Sequence, residues 1–159
     1  MIIHSLRLSA ILSEHEQNIH FIGGFGMSYS TRAEVRAMLK DDTLNTIFGD
    51  AFHEDASERE ELAGPVIDEA IADADGEIDG YLAKRYQVPL SPVPKVINKY
   101  SKDIAIYNLF SRLGISEDSE QKIYLTRHDA AIKFLTLVAD GKVSIGAEAE
   151  DPACAAAAG

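Results

Sequence analysis

Cysteine is nearly absent from this chain: among 159 residues only Cys154 occurs, in an Ala-rich tail. That excludes an intrachain disulfide and a Cys-rich metal site, and it fits a reducing, intracellular setting. Positive charge is scarce as well. Fifteen Lys and Arg stand against 26 Asp and Glu, a net charge of -11, which argues against an electrostatic grip on DNA or an anionic membrane. No apolar run is long enough to cross a bilayer, and the opening MIIHSLRLSAILSEHEQ is broken by His4, Ser5 and Arg7, unlike a signal peptide. Catalytic motifs are missing too. There is no GxSxG nucleophile elbow; His53-Glu54 does not extend to HExxH because position 57 is serine; and Gly23, Gly24 and Gly26 lack the Lys-Ser/Thr of a phosphate loop.

What the chain does contain is helix-forming periodicity, so an all-α fold is expected: one small helical domain around a long central helix pair. Thr31 followed by Glu34 matches a capping box, and Val35, Met38 and Leu39 continue it as a short helix ending near Lys40. A second short turn is expected over residues 44–48. The acidic stretch 50–64, DAFHEDASEREELAG, reads as a linker or surface excursion. Pro65 then suits the first turn of a long helix running to about Tyr86, because its missing N–H would be unpaired there. Pro89, Pro92 and Pro94 form a stiff elbow before the next helix, about residues 95–113. The last helix is expected to run to about Asp140, with Tyr124, His128, Ala131, Leu135 and Val138 on one face and Gly141 as C-cap.

The long helix has two different sides. At 100° per residue Ile67, Ile71, Ala74, Ile78, Leu82 and Arg85 share one, while Ala72, Gly76, Gly80 and Ala83 fall together on another. Each interior glycine costs about 1 kcal/mol relative to alanine, so close approach by something else is needed to recover it. Asp68, Asp75 and Asp79 line up beside the apolar stripe as an acidic surface, solvated or facing a basic partner. DADGEIDG within this helix has its glycine at the wrong position for a calcium loop. His128-Asp129 invites comparison with helical metal phosphohydrolases, but the two side chains diverge by about 100°, and His53 and Asp140 lack a supporting pattern. A hydrogen-bonded core histidine is the simpler reading, and no catalytic, cofactor or metal residue is assigned.

Residues 1–26 are expected to be a translated leader or flexible arm. MSYSTRAEV from Met27 already reads as a chain start, and codons for Gly23-Gly24 can spell a purine-rich ribosome-binding sequence just upstream of it. Codons there that cannot resemble such a sequence would defeat the idea. Residues 27–146 form the expected domain and 147–159 a frayed tail.

MSYSTRAEV, AIADADGEIDGYLAKRYQVPLSPVP, KDIAIYNL and LVADGKVSIG together resemble a family of small Mu-like phage and prophage proteins of unknown function, which is similar to head-tail connector proteins. The resemblance covers about residues 27–146 and departs at both ends. It implies a non-enzymatic, all-helical adaptor that assembles as a ring at the neck of the particle, below the portal, with no cofactor. Its implied partners are other copies of itself, the portal and tail-neck proteins, in the virion and, during assembly, in the bacterial cytoplasm, with DNA passing nearby without specific binding. One ring interface would use Ala72, Gly76, Gly80 and Ala83. The other would use the exposed half of Ile106, Leu109, Phe110 and Leu113. The rival classes are a small metal-dependent hydrolase centred on His128 and a soluble helical module that binds a basic protein.

Overall fold

The structure, a computed structural model, describes residues 27–40, 43, 44, 47, 56–112 and 122–148. These contain four helices, α1 (Arg32–Met38), α2 (Ala56–Leu82), α3 (Lys95–Ser111) and α4 (Lys122–Ala139), and no strand among the described residues.

Only seven residues long, α1 is too short to persist alone. Its capping box is complete. The Glu34 N–H donates to the Thr31 hydroxyl at 3.3 Å, and the Thr31 N–H donates to the Glu34 carboxylate at 2.9 Å. Tertiary burial does the rest, since Val35, Leu39 and the preceding Tyr29 enter the core. Of the turn expected at 44–48, Leu44 and Ile47 are helical and Leu44 is buried; the other positions lie outside the described residues.

The 27-residue helix α2 begins nine residues before Pro65 rather than at it. Residues 57–63 are rich in Glu, Arg, Leu and Ala, all good helix formers, and polarity alone made them resemble a linker. An interior proline withdraws one donor and crowds the preceding turn. Pro65 is solvent-exposed, and so is Glu61, the residue whose carbonyl it leaves without an intrahelical donor. Ile67, Ile71, Ala74, Ile78 and Leu82 are all buried, as their spacing predicts. Hydrogen bonds from the Arg85 and Tyr86 N–H groups to the Leu82 carbonyl, both 2.9 Å, carry the turn on to Tyr86.

Between α2 and α3 the elbow contains two cis peptide bonds, Val88–Pro89 and Ser91–Pro92, and it folds Leu90 back into the core. Helix α3 is enclosed on both sides, by α2 and by α4. Ile106, Leu109 and Phe110 are 2%, 0% and 3% exposed, so they have no exposed half to offer a neighbour, and the second interface expected there is withdrawn. An all-round apolar helix is either central or interfacial, and here the chain supplies both covers itself. Leu113 lies outside the described residues.

Ring contacts join α4 to α3: Phe110 stacks on Tyr124 with centroids 4.2 Å apart, and Tyr100 meets Phe134 at 4.8 Å. The end of α4 is a Schellman turn. Gly141, at φ +76, donates to the Val138 carbonyl at 3.0 Å, and Lys142 donates to the Leu137 carbonyl at 2.9 Å. Past it, Ile145 is buried and Ala147 packs against the core, so ordered packing extends one residue into the stretch expected to fray.

Candidate functional site: an open helix face and an N-terminal clasp

Helix α2 buries one side and leaves another bare. Ala72, Gly76, Gly80 and Ala83 are all exposed. A Cβ built at Gly76 or Gly80 would find nothing within 4 Å. Packing within the described residues therefore does not account for either glycine, and the helix-propensity cost of about 1 kcal/mol each is not recovered in those contacts.

The three aspartates are all engaged within the chain, Asp75 and Asp79 half-buried and Asp68 still exposed. They hold the segment before and within α1, so the acidic surface expected from their alignment is largely consumed inside the chain. Asp68 receives the Arg32 guanidinium in a two-pronged contact, with Nε 2.7 Å from Oδ1 and Nη2 on Oδ2. Gly64 makes room for it, because a Cβ there would lie 2.6 Å from Arg32 Nη1. Asp75, half-buried, accepts the Tyr29 N–H at 3.2 and 3.3 Å and the Ser101 hydroxyl at 3.1 Å, and it lies 2.7 Å from the Ser28 hydroxyl. Asp79 accepts the Tyr29 phenol, whose oxygen in turn accepts the Leu90 N–H at 3.0 Å. On α3, Asn98 donates to the Tyr29 carbonyl at 2.9 Å, and the Ser101 and Ser30 hydroxyls lie 2.8 Å apart.

This environment moves four titrating groups, and the hydrogen bond to Asp68 raises the first of them, Arg32. Burial, and next the hydrogen bond to Asp79, push the Tyr29 phenol well above its ordinary value. Burial likewise raises the Asp75 carboxyl and the Asp79 charge adds to it, while hydrogen bonds from Ser28, Ser101 and the Tyr29 N–H act in the opposite sense. Glu34 is lowered, chiefly by the hydrogen bond from the Thr31 backbone. Sequence reasoning placed the aspartates on one line but not their targets. The signal present was the hydroxyl-rich run Ser28-Tyr29-Ser30-Thr31, distant from them in sequence.

His128 is half-buried rather than deep in the core, stacked on Tyr107 at 4.0 Å between centroids, with Nε2 3.9 Å from Glu77 and Nδ1 3.5 Å from Asp129. Asp140 is engaged by Lys142 at 3.1 Å, and His53 lies outside the described residues. Among the described residues no three His, Cys, Asp or Glu side chains converge to hold a metal ion, and no helix is long and apolar enough to cross a membrane. Residues 87–95 and 145–148 line a cavity of about 900 Å³ beside the elbow.

Comparison with known proteins places this architecture. The family model of bacteriophage Mu Gp36 matches residues 29–159, so the match runs on through the Ala-rich end that the sequence resemblance left out. Mu-like prophage FluMu protein gp36 of Haemophilus influenzae is 31% identical over 119 residues, 75% of this chain and 78% of that protein. Gene product J of Escherichia phage Mu is 36% identical over 88 residues, 55% of this chain and 58% of that protein. A clasped helical domain with one bare helix face thus belongs to the bacteriophage Mu Gp36 family of phage proteins.

Proposed function

We propose that the protein is a non-enzymatic structural component of the phage particle: a head-tail connector or head-completion adaptor that assembles as a ring at the neck, below the portal. Its partners are further copies of itself, the portal and tail-neck proteins. The observation that carries this reading is the open Ala72-Gly76-Gly80-Ala83 face of α2, whose glycines have no neighbour within 4 Å of a Cβ among the described residues. A ring subunit needs a surface where another backbone can come close, and recovering the glycine cost across that surface gives the residues a reason to be there. The net charge of -11 supports a protein that lets DNA pass without holding it. A heterologous ring needs a second, different patch; Leu62 on α2 and Ile123 on α4, 42% and 49% exposed, are the large apolar side chains those helices leave open.

The test is purification of phage particles and portal complexes from cells making wild-type, Gly76→Leu or Gly80→Leu protein. Wild type should copurify with the particles and form rings on the portal. The leucine variants should remain helical and folded yet fail to assemble. Normal rings from both variants, or absence of the wild-type protein from particles, would overturn the proposal.

A further inference from the structure

Ser28 has one hydroxyl hydrogen and two acceptors close to it, Asp75 Oδ2 at 2.7 Å and the Ser30 carbonyl at 2.8 Å. A hydroxyl donates only once. If Asp75 is ionised, one of these two short oxygen pairs has no hydrogen between its members. A proton on Asp75 Oδ2 removes the conflict, since Ser28 then accepts from Asp75 and donates to Ser30. The other side of the carboxyl agrees with this. Ser101 gives its hydrogen to Asp75 Oδ1 at 3.1 Å, which leaves Ser30 as donor in the 2.8 Å Ser30–Ser101 contact. Hydrogen bonds then run from the Ser30 hydroxyl to Ser101, to Asp75, to Ser28 and back to the Ser30 carbonyl, with each hydroxyl donating once.

We propose that Asp75 is a proton-operated latch: protonated, it closes this loop of hydrogen bonds and holds residues 28–31 against α2 and α3; ionised, it opens one link and loosens them. The surrounding charges favour the closed form. On α2 the facing charge is Asp79, one turn along, which already takes the Tyr29 phenol. The N-terminal segment presents Tyr29 and the two serines. From α3 come Ser101 and, beyond it, Asn98, while Lys99 is on Asp103 and Lys102 lies 3.8 Å from Glu34. The elbow contributes only the Leu90 N–H to Tyr29, and towards α4 Glu77 faces His128. Among the described residues no Lys, Arg or His forms an ion pair with Asp75. Burial disfavours the ionised carboxylate in the same sense.

The experiment is a pH titration of the full chain by NMR, reading the Asp75 side-chain carboxyl carbon together with the amide-exchange protection factors of Tyr29 and Ser30. Protection should fall as pH rises through the Asp75 titration, by about tenfold if the closed latch displaces that titration by one pH unit. Asp75→Asn, whose amide donates to Ser28 as the protonated acid does, should keep the segment protected at every pH. Ser28→Ala separates the two directions of the contact: it lowers the Asp75 titration point if Ser28 accepts in the closed state, and raises it if Ser28 only donates. Protection that does not change with pH, an Asp75→Asn chain that keeps the wild-type pH dependence, or a raised titration point in Ser28→Ala would overturn the latch. None of these readouts requires a ring, so failure here leaves the connector proposal standing.

Discussion

Tyr29 joins three parts of the molecule through one phenol and one backbone. Its ring is 1% exposed, its hydroxyl donates to Asp79 on α2 and accepts from Leu90 in the elbow, and its carbonyl takes Asn98 on α3. Tyr29→Phe keeps the apolar burial but leaves the Leu90 N–H and Asp79 without this partner. A buried group left unsatisfied loses about 1–3 kcal/mol, so urea unfolding of Tyr29→Phe should show destabilisation in that range; no change would mean that water reaches the Leu90 N–H. The neighbouring carboxyls act in opposite directions with pH. Asp75 is raised in the folded state, so between the ordinary carboxylate value and the folded one the native chain holds the extra proton, and stability falls as pH rises through that window. Glu34 is lowered; its contribution is present above the ordinary glutamate value and is lost as pH falls through the folded one. Denaturant midpoints of Asp75→Asn and Glu34→Gln followed against pH should each lose one of these slopes.

Among the helices, the ends marked by a capping signature could be read from the residues, and the start of α2, where two local signals compete, could not. Thr31 with Glu34, and Gly141 after α4, adopt the expected caps because each end is determined within a few residues. The start of α2 carries no such signature, and α1 lies across the helix further along, where Arg36 pairs with Glu60 at 2.8 Å and Arg32 reaches Asp68 over Gly64. The good helix formers over residues 57–63 are the local signal for the earlier start, but their polarity and the preference of proline for a first helical turn made Pro65 look like a beginning. The two glycines of this frame should respond differently to alanine. At Gly141 the left-handed backbone costs a side chain about 1–2 kcal/mol, and a Cβ would also meet Arg85 Nη1 at 2.7 Å; Gly141→Ala should lower the unfolding midpoint accordingly. At Gly64 the obstacle is the mobile end of Arg32. Displacing it forfeits an exposed pair worth about 0–1 kcal/mol, against a helix-propensity gain of about 1 kcal/mol, so Gly64→Ala should be neutral to stabilising in thermal unfolding.

At the scale of the whole molecule, α2 and α3 form the central pair that the periodicity implies, and two further expectations failed for related reasons. Ile106, Leu109 and Phe110 are interior because α4 covers the side of α3 that α2 leaves open. Asp75 and Asp79 are internal anchors because the chain returns 46 and 50 residues of sequence separation to meet them. Periodicity shows which residues share a side of a helix; it does not show what covers that side. The Ala72-Gly76-Gly80-Ala83 side differs because, among the described residues, no neighbour lies within 4 Å of a Cβ at either glycine, and that makes an effect on assembly separable from folding. With open space at both positions, Gly76→Ala and Gly80→Ala should each stabilise the isolated chain by about 1 kcal/mol through helix propensity alone, raising its thermal midpoint. If the same side receives a neighbouring backbone at close range, those methyl groups should weaken assembly even as they strengthen the subunit. Native mass spectrometry of rings on portal, set beside thermal unfolding of the same variants, reads both effects. A chain that gains stability and assembles as well as wild type would show that close backbone approach at these glycines is not what builds the ring.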